Sequence, residues 1–347
     1  MPTKTKTMND RNFYQQLKHR LTKEAVVVAT IVKTIGSAPR EVGAKMAICA
    51  DGSIIGTIGG GAGEGKVIQE ALQVFKTDRK QLIEIDLTGA PGKDIQGICG
   101  GKVQIWLEKW SGKNAIALTE QILKLFESGQ SAKLITSLTE DIQPYLISNL
   151  QYEQTAVCPY AFSETIQPPP ALLIIGGGHV ALALAQIASF AGFEIAVQDD
   201  RPEFTTPQRF PQAAFLTQSL DGALARFATY QQLYIALVTR GLTQDVNALN
   251  AILQCRITYQ YIGAIGSQKR IRAIKRAIPN IALTKLPNFY APIGLDIGAL
   301  TPEEIAVSIC GELIKVRRGG TGLSLCDRVQ HSRSTKVHIG ELLYAKS

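Results

Sequence analysis

No run of about 18 consecutive apolar residues, the length a membrane span requires, occurs in the 347 residues, so no crossing helix is expected. The opening MPTKTKTMNDRNFYQQLKHR carries lysines but no apolar core of the signal-peptide kind, which points to a cytoplasmic protein. Cys49, Cys99, Cys158, Cys255, Cys310 and Cys326 are scattered and none forms C-x-x-C. Neither a disulfide framework nor a thiolate zinc site is therefore indicated. His19, His179, His331 and His338 are equally dispersed. There is no Ser/His/Asp set or carboxylate pair at a recognisable spacing, so the usual signatures of nucleophilic or acid–base catalysis are missing. The net charge of +8 is mild, and Lys and Arg are not interleaved with aromatics, which argues against nucleic acid as a partner. That charge fits an anionic ligand such as a phosphate.

What is present is ample apolar material. Hydrophobic content of 45% with 19% charged residues describes a globular chain with a sizeable core, and the length predicts two or three domains. The most informative stretch is LLIIGGGHVALALAQIASFAGFEIAVQDDRPEF, 172–204. Ala171–Ile175 reads as a buried strand, Val180–Phe190 as an apolar helix, and Phe193–Gln198 as a second strand ending at Asp199 and Asp200. Between them Gly176, Gly178 and Ala181 fit G-x-G-x-x-G/A, with His179 inside the turn. Strand, glycine turn, helix, strand and an acid about 20 residues on form the dinucleotide-binding fingerprint of a Rossmann-type fold. The glycines let backbone approach a pyrophosphate, helix-start amides receive its charge, and the acid is suited to a ribose hydroxyl. Asp199 favours NAD, whereas Arg201 could take a 2′-phosphate, so the residues leave NAD(P) open.

Upstream, Phe13, Leu17 and Leu21 predict an amphipathic helix and Ala25–Lys33 a buried strand. Lys45–Cys49 and Ser53–Ile58 read as strands around an Asp51-Gly52 turn. Gly59, Gly60, Gly61, Gly63 and Gly65 then lie between a strand and the helix marked by Val67, Ala71 and Phe75. So dense a run suits close approach of backbone to an anion or ligand. A second glycine-rich loop, 89–101, carries Cys99 beside Gly100 and Gly101. Asn114–Gly129 reads as a helix and Ala132–Leu138 as a strand. Residues 139–170 lose periodicity and end in Pro168-Pro169-Pro170, which reads as a stiff linker. Beyond the fingerprint, Ala213–Leu216, Leu233–Thr239 and Tyr259–Ile265 read as strands, and strands alternating with helices imply a parallel sheet. Gly266 and Ser267 open a basic helix and form another anion-site candidate. Thr301, Pro302 and Glu304 predict a capped helix start, with Ile305, Ile309 and Ile314 on its buried side.

Taken together, GSAPREVGAKM (36–46), DGSIIGTIGGGAGE (51–64), ICGG (98–101), GGGHVALALA (176–185), DDRPEF (199–204), YIGAIGSQKR (261–270) and PIGLDIGALTPEEIAVSI (292–309) resemble the XdhC/CoxI family. These are accessory proteins that mature molybdenum-cofactor enzymes of the xanthine dehydrogenase type. The resemblance implies an α/β fold in two parts: an N-terminal XdhC/CoxI-type α/β domain (1–138), then, after the linker at 139–170, a C-terminal Rossmann-like parallel-sheet domain (171–316) and a tail (317–347). It implies a non-enzymatic carrier that binds molybdenum cofactor (molybdopterin), helps it receive its terminal sulfur, and delivers it to a xanthine dehydrogenase-type apo-enzyme. A cysteine desulfurase is an expected partner and a homodimer the expected state, with no nucleic acid and no membrane. Carried onto this chain, the ligand loops are Gly59, Gly60 and Gly61 with Glu64, and Cys99 with Gly100 and Gly101. Molybdenum and its dithiolene are soft partners for a thiolate, which makes Cys99 the expected metal ligand. Gly61 stands where many relatives have Cys, which places the chain nearer the xanthine dehydrogenase branch than the carbon monoxide dehydrogenase branch. Leu242 stands in TRGLTQD, where many relatives have His. The alternative from the fingerprint alone is an NAD(P)-dependent oxidoreductase.

Overall fold

The run VVVATIV is β-branched and apolar on successive residues, so a strand built from it must be covered on both faces. In the computed structural model, which describes residues 10–87, 100–139, 142–147, 156–158, 160–255, 257–278, 286 and 288–326, it lies at the centre of a five-stranded sheet. The chain divides into two compact units, Met1–Pro169 and Pro170–Ser347.

The first unit contains α1 (Asp10–Leu21), β1 (Val26–Ile35), β2 (Lys45–Cys49), β3 (Ile54–Gly56), α2 (Ala62–Thr77), β4 (Gln81–Asp86), β5 (Lys102–Trp110), α3 (Gly112–Ser128), β6 (Ala132–Ser137), β7 (Tyr145–Ile147), β8 (Ala156–Cys158) and β9 (Ala161–Ile166). The sheet runs β3-β2-β1-β5-β4, with antiparallel pairing throughout. Because strand side chains alternate, Val26 and Val28 face Phe13, Tyr14 and Leu17 of α1 and Ile122 of α3. Val27, Ala29 and Ile31 face Val67, Ala71 and Val74 of α2. Cys49 is fully buried in β2, and burial pushes its thiol up.

The stretch 139–170, expected as a linker, instead supplies β7, β8 and β9, which join β6 in a four-stranded antiparallel sheet ordered β7-β6-β9-β8. Two of these strands have only three residues. In β9 the alternation is interrupted by chemistry: Phe162, Glu164 and Ile166 are the buried positions. Glu164 is tolerated there because Lys45 of β2 pairs with it, and both side chains are buried. Burial pushes the Glu164 carboxyl up, opposed by that lysine.

The second unit contains β10 (Ala171–Ile175), α4 (His179–Phe190), β11 (Glu194–Gln198), β12 (Ala213–Thr217), α5 (Leu220–Arg226), β13 (Leu233–Leu237), α6 (Leu242–Cys255), β14 (Tyr261–Ala264), α7 (Gln268–Ala277), β15 (Phe289–Tyr290) and α8 (Pro302–Arg318). Its six strands are parallel in the order β12-β11-β10-β13-β14-β15. This is the doubly wound Rossmann arrangement. One face packs on α5, α6 and α7 through Leu224, Leu249 and Ile274, the other on α4 and α8 through Leu184 and Ile309. Thr301 and Glu304 form the reciprocal capping box of α8. Ile314, expected on the buried side of α8, is 42% exposed. The buried stripe is Ala306, Ile309, Cys310 and Leu313, at the 3-4-3 spacing of one helix face, and a step of five from Ile309 leaves that face. Strand order reverses between β10 and β13, which opens a crevice at the carboxyl ends of the strands.

Candidate functional site

At the end of β10 the chain makes the glycine turn. Gly176 has φ +108°, and a Cβ there would lie 2.6 Å from the Val238 carbonyl oxygen. At Gly177 a Cβ would lie 2.6 Å from the Phe204 carbonyl oxygen. Both glycines are required by close approach of neighbouring backbone. Gly178 is different, since a Cβ there would meet nothing within 4 Å. It stands at the start of α4, followed by the exposed His179.

The two acids at the end of β11 are both engaged. Asp199 is 4% exposed, and its Oδ2 accepts from the Gly177 N–H (2.7 Å) and Arg201 Nη2 (2.9 Å). Its Oδ1 accepts from the Arg201 backbone N–H (3.1 Å) and Nε (2.9 Å). Burial alone would raise this carboxyl; the hydrogen bonds from Arg201 and Gly177 outweigh it and hold the group well below the usual carboxylate range. Asp200 is exposed and takes a two-pronged contact from Arg240, Nη1 to Oδ1 at 2.5 Å and Nη2 to Oδ2 at 2.7 Å, which lowers its carboxyl too. Arg240 belongs to the segment after β13, so this ion pair joins the ends of β11 and β13.

Behind Arg240 lies a buried network. Asp245, fully buried in α6, accepts from Thr239 Oγ1 (2.7 Å) and Arg270 Nε (2.7 Å). Burial pushes its carboxyl up against those two donors. Arg270 also donates to the Thr239 carbonyl (3.1 Å), which ties α7 to the loop after β13. Gly266 and Ser267 serve this arrangement: a Cβ on Gly266 would strike Arg270, and the Ser267 hydroxyl caps α7 by accepting from the Arg270 N–H at 3.3 Å. Leu242, at the position where relatives carry His, opens α6 and is 39% exposed.

In the first unit three loops converge. Gly36 lies with its Cβ direction 3.2 Å from Gly101 Cα, and a Cβ on Gly101 would lie 2.3 Å from the Ser37 carbonyl oxygen. Pro39 fills the Cβ direction of Gly59 at 2.5 Å. Gly60 (φ +80°), Gly61 (φ +73°) and Gly100 (φ +69°) are left-handed, yet their Cβ directions meet nothing within 4 Å. Glu64, in the first turn of α2, folds back over this loop. Its carboxylate accepts from the Thr57 hydroxyl and from the N–H groups of Ile58 (3.1 Å) and Gly60 (2.9 Å). Glu64 thus braces the glycine loop from within. Cys99 lies outside the described residues. Among the described residues no group of three or more His, Cys, Asp or Glu is placed to hold a metal ion.

Sequence reasoning singled out the glycines and both acids but missed Arg209, Phe204, Thr239 and Arg270. Phe204 carries the Arg201 guanidinium over its ring at 3.6 Å and that of Arg209 at 5.0 Å. Arg209 Nε donates to the Gly177 carbonyl at 3.0 Å. The signal available was DDRPEF itself, an arginine two positions after an acid with an aromatic close behind.

Comparison with known proteins agrees with this geometry. Residues 172–313 match the XdhC Rossmann domain and residues 19–86 match the XdhC and CoxI family. The chain is 28% identical over 333 residues to a Bacillus subtilis protein named as a probable xanthine dehydrogenase component, covering 88% of this chain and 98% of that protein. It is 23% identical over 296 residues to the molybdenum cofactor insertion chaperone PaoD of Escherichia coli, covering 85% and 84%. It is 27% identical over 299 residues to Escherichia coli YqeB, covering 85% of this chain but spanning only 44% of YqeB. A crystal structure described as a xanthine dehydrogenase from Bacillus halodurans superposes with a TM-score of 0.72 at 25% identity, covering 90% of this chain and 98% of that one. Matched in order through both units, with the glycine turn and the acid pair inside the matched Rossmann region, the chain belongs to the XdhC and CoxI family.

Proposed function

We propose that this protein is a maturation factor that binds molybdenum cofactor, holds it during sulfuration by a cysteine desulfurase, and inserts it into a xanthine dehydrogenase-type enzyme. The observation that carries the reading is the cradle formed by Gly60, Gly61 and Gly100. All three are left-handed glycines whose Cβ directions open onto free space. A cradle of backbone without side chains accommodates a flat, polar pterin and its phosphate. Gly100 directly follows Cys99, whose thiolate would supply the soft ligand. Glu64 would keep the loop in its receiving shape. The bound group supplies the redox-active metal to the client enzyme; the carrier's own residues need only bind and release it. A cytoplasmic homodimer is the form in which we place this activity, and no helix among the described residues is long and apolar enough to cross a membrane. The insertion role named for PaoD supports the reading.

The test is to express the chain in a host that synthesises the cofactor, purify it gently, and quantify released pterin and molybdenum. Retention near one equivalent per chain is expected. No pterin, under conditions in which a chaperone of the PaoD kind keeps its own, would refute the carrier role. The alternative, an NAD(P)-dependent oxidoreductase, has the parallel sheet in its favour and the saturated Asp199 against it.

A further inference from the structure

We infer that Arg201 is a specificity-determining residue that closes the crevice of the second unit to nucleotides gripped by their ribose diol. A carboxylate offers about four lone-pair sites. The two oxygens of Asp199 already accept from the Gly177 N–H, the Arg201 N–H, Arg201 Nε and Arg201 Nη2, at 2.7, 3.1, 2.9 and 2.9 Å. A diol arriving at this acid therefore finds its acceptors filled. Two of the four contacts come from the guanidinium and are charge-assisted, so neutral hydroxyls displace them at a loss.

Arg201 is also held in place. Its guanidinium lies 3.6 Å over the Phe204 ring. Phe204 in turn backs against the glycine turn, with its carbonyl oxygen 2.6 Å from the Cβ direction of Gly177. Arg209 approaches the same ring and donates to the Gly177 carbonyl, which fastens the clasp on its other side. The second acid offers no substitute, because both Asp200 oxygens hold Arg240. The arrangement also works against a 2′-phosphate, since the Nε and Nη2 edge of Arg201 is turned to Asp199. The inference concerns only this acid and holds whichever cofactor the protein carries.

The experiment is calorimetric titration of the full chain with NAD+ and NADP+, comparing the parent, Arg201→Met, and Arg201→Met combined with Asp199→Asn. Methionine keeps an apolar side chain over Phe204 and removes the donors. The parent is expected to show no saturable NAD+ binding up to about 1 mM, and Arg201→Met to bind NAD+ about tenfold or more tighter than the parent. The double variant should return to the parent's behaviour, since the released acid is then gone. The inference is overturned if the parent binds NAD+ in the micromolar range and Asp199→Asn abolishes it. It is equally overturned if Arg201→Met, with parent-like circular dichroism and melting, gains no affinity. Should Arg201→Met fail to fold, Arg201→Lys, which cannot bridge both oxygens as the fork does, must show an intermediate gain; a folded lysine variant without one counts against the inference.

Discussion

Gly101→Ala is expected to damage the first unit far more than Gly100→Ala, although the two glycines are adjacent. A methyl on Gly101 would sit 2.3 Å from the Ser37 carbonyl oxygen and 2.6 Å from that of Ile35. Both are backbone atoms, so relief requires the 35–37 segment to move. Overpacking of this kind costs about 1–3 kcal/mol. The shift also strains the bond from the Leu87 N–H to the Gly101 carbonyl, 2.7 Å long, worth a further ~1 kcal/mol. A loss of about 2–4 kcal/mol lowers the melting temperature of a unit of this size by roughly 4–16 °C. Gly100 instead has φ +69° and an open Cβ direction, so alanine there meets only the left-handed backbone penalty of about 1–2 kcal/mol. Thermal melts by circular dichroism rank the two. Cofactor retention, measured below both transitions, should show the opposite emphasis, because the Gly100 methyl projects into the cradle. Melting of Gly101→Ala at the parent's temperature, or below it by less than Gly100→Ala, would refute the packing argument.

Asp245→Asn turns an amide N–H toward donors and leaves Arg270 without its carboxylate. Breaking a buried pair costs about 3–5 kcal/mol, and since Arg270 is 23% exposed the lower end is expected, read from chemical denaturation of the second unit. Asp199, with its folded-state pKa depressed, contributes stability that is present above the unfolded carboxylate value of about 3.9 and lost as pH falls below it. Asp199→Asn should therefore melt below the parent at pH 7, with the gap closing at lower pH; a gap constant with pH would contradict the ion-pair account. Cys99→Ala should keep the parent's melting temperature but lose cofactor retention and client activation. Cys49→Ala, which removes a fully buried thiol, should cost ~1 kcal/mol and leave retention unchanged, and the same loss of retention in both variants would remove the thiol from the site.

Much of the second unit was legible because its signals are local. Ala171–Ile175, the glycine turn and the apolar helix follow one another within a single βαβ stretch, and each reports on itself. What stayed hidden depends on partners distant in sequence. Glu164 looks like an interruption of periodicity until Lys45, on another strand, makes its burial tolerable. The role of Glu64 as a brace depends on the loop curling back so that the Ile58 and Gly60 amides point at it. Arg270 reaches Asp245 across 25 residues, which no spacing rule anticipates. Asp199 was read as a ribose acceptor by its place after the second strand, and that place is as expected. Its hydrogen-bond capacity, however, is set by an arginine whose orientation the sequence does not encode.

The two glycine-rich turns look alike as text and differ in physical demand. At Gly176 and Gly177 the missing side chains make room for the protein's own backbone, at Val238 and Phe204. The fold itself requires those glycines, whatever ligand the crevice meets, and the neighbouring acids spend their acceptors on Arg201 and Arg240. At Gly60, Gly61 and Gly100 the backbone is left-handed while the space beyond stays empty. Left-handed backbone can also be met by Asn at modest cost, so conformation alone does not demand glycine at all three positions. Free space in front of them gives a second reason, since any side chain would stand where a ligand would lie. For that reason we assign the grip on the cofactor to the loops of the first unit, and assign the acids of the Rossmann crevice to holding the fold and refusing ribose.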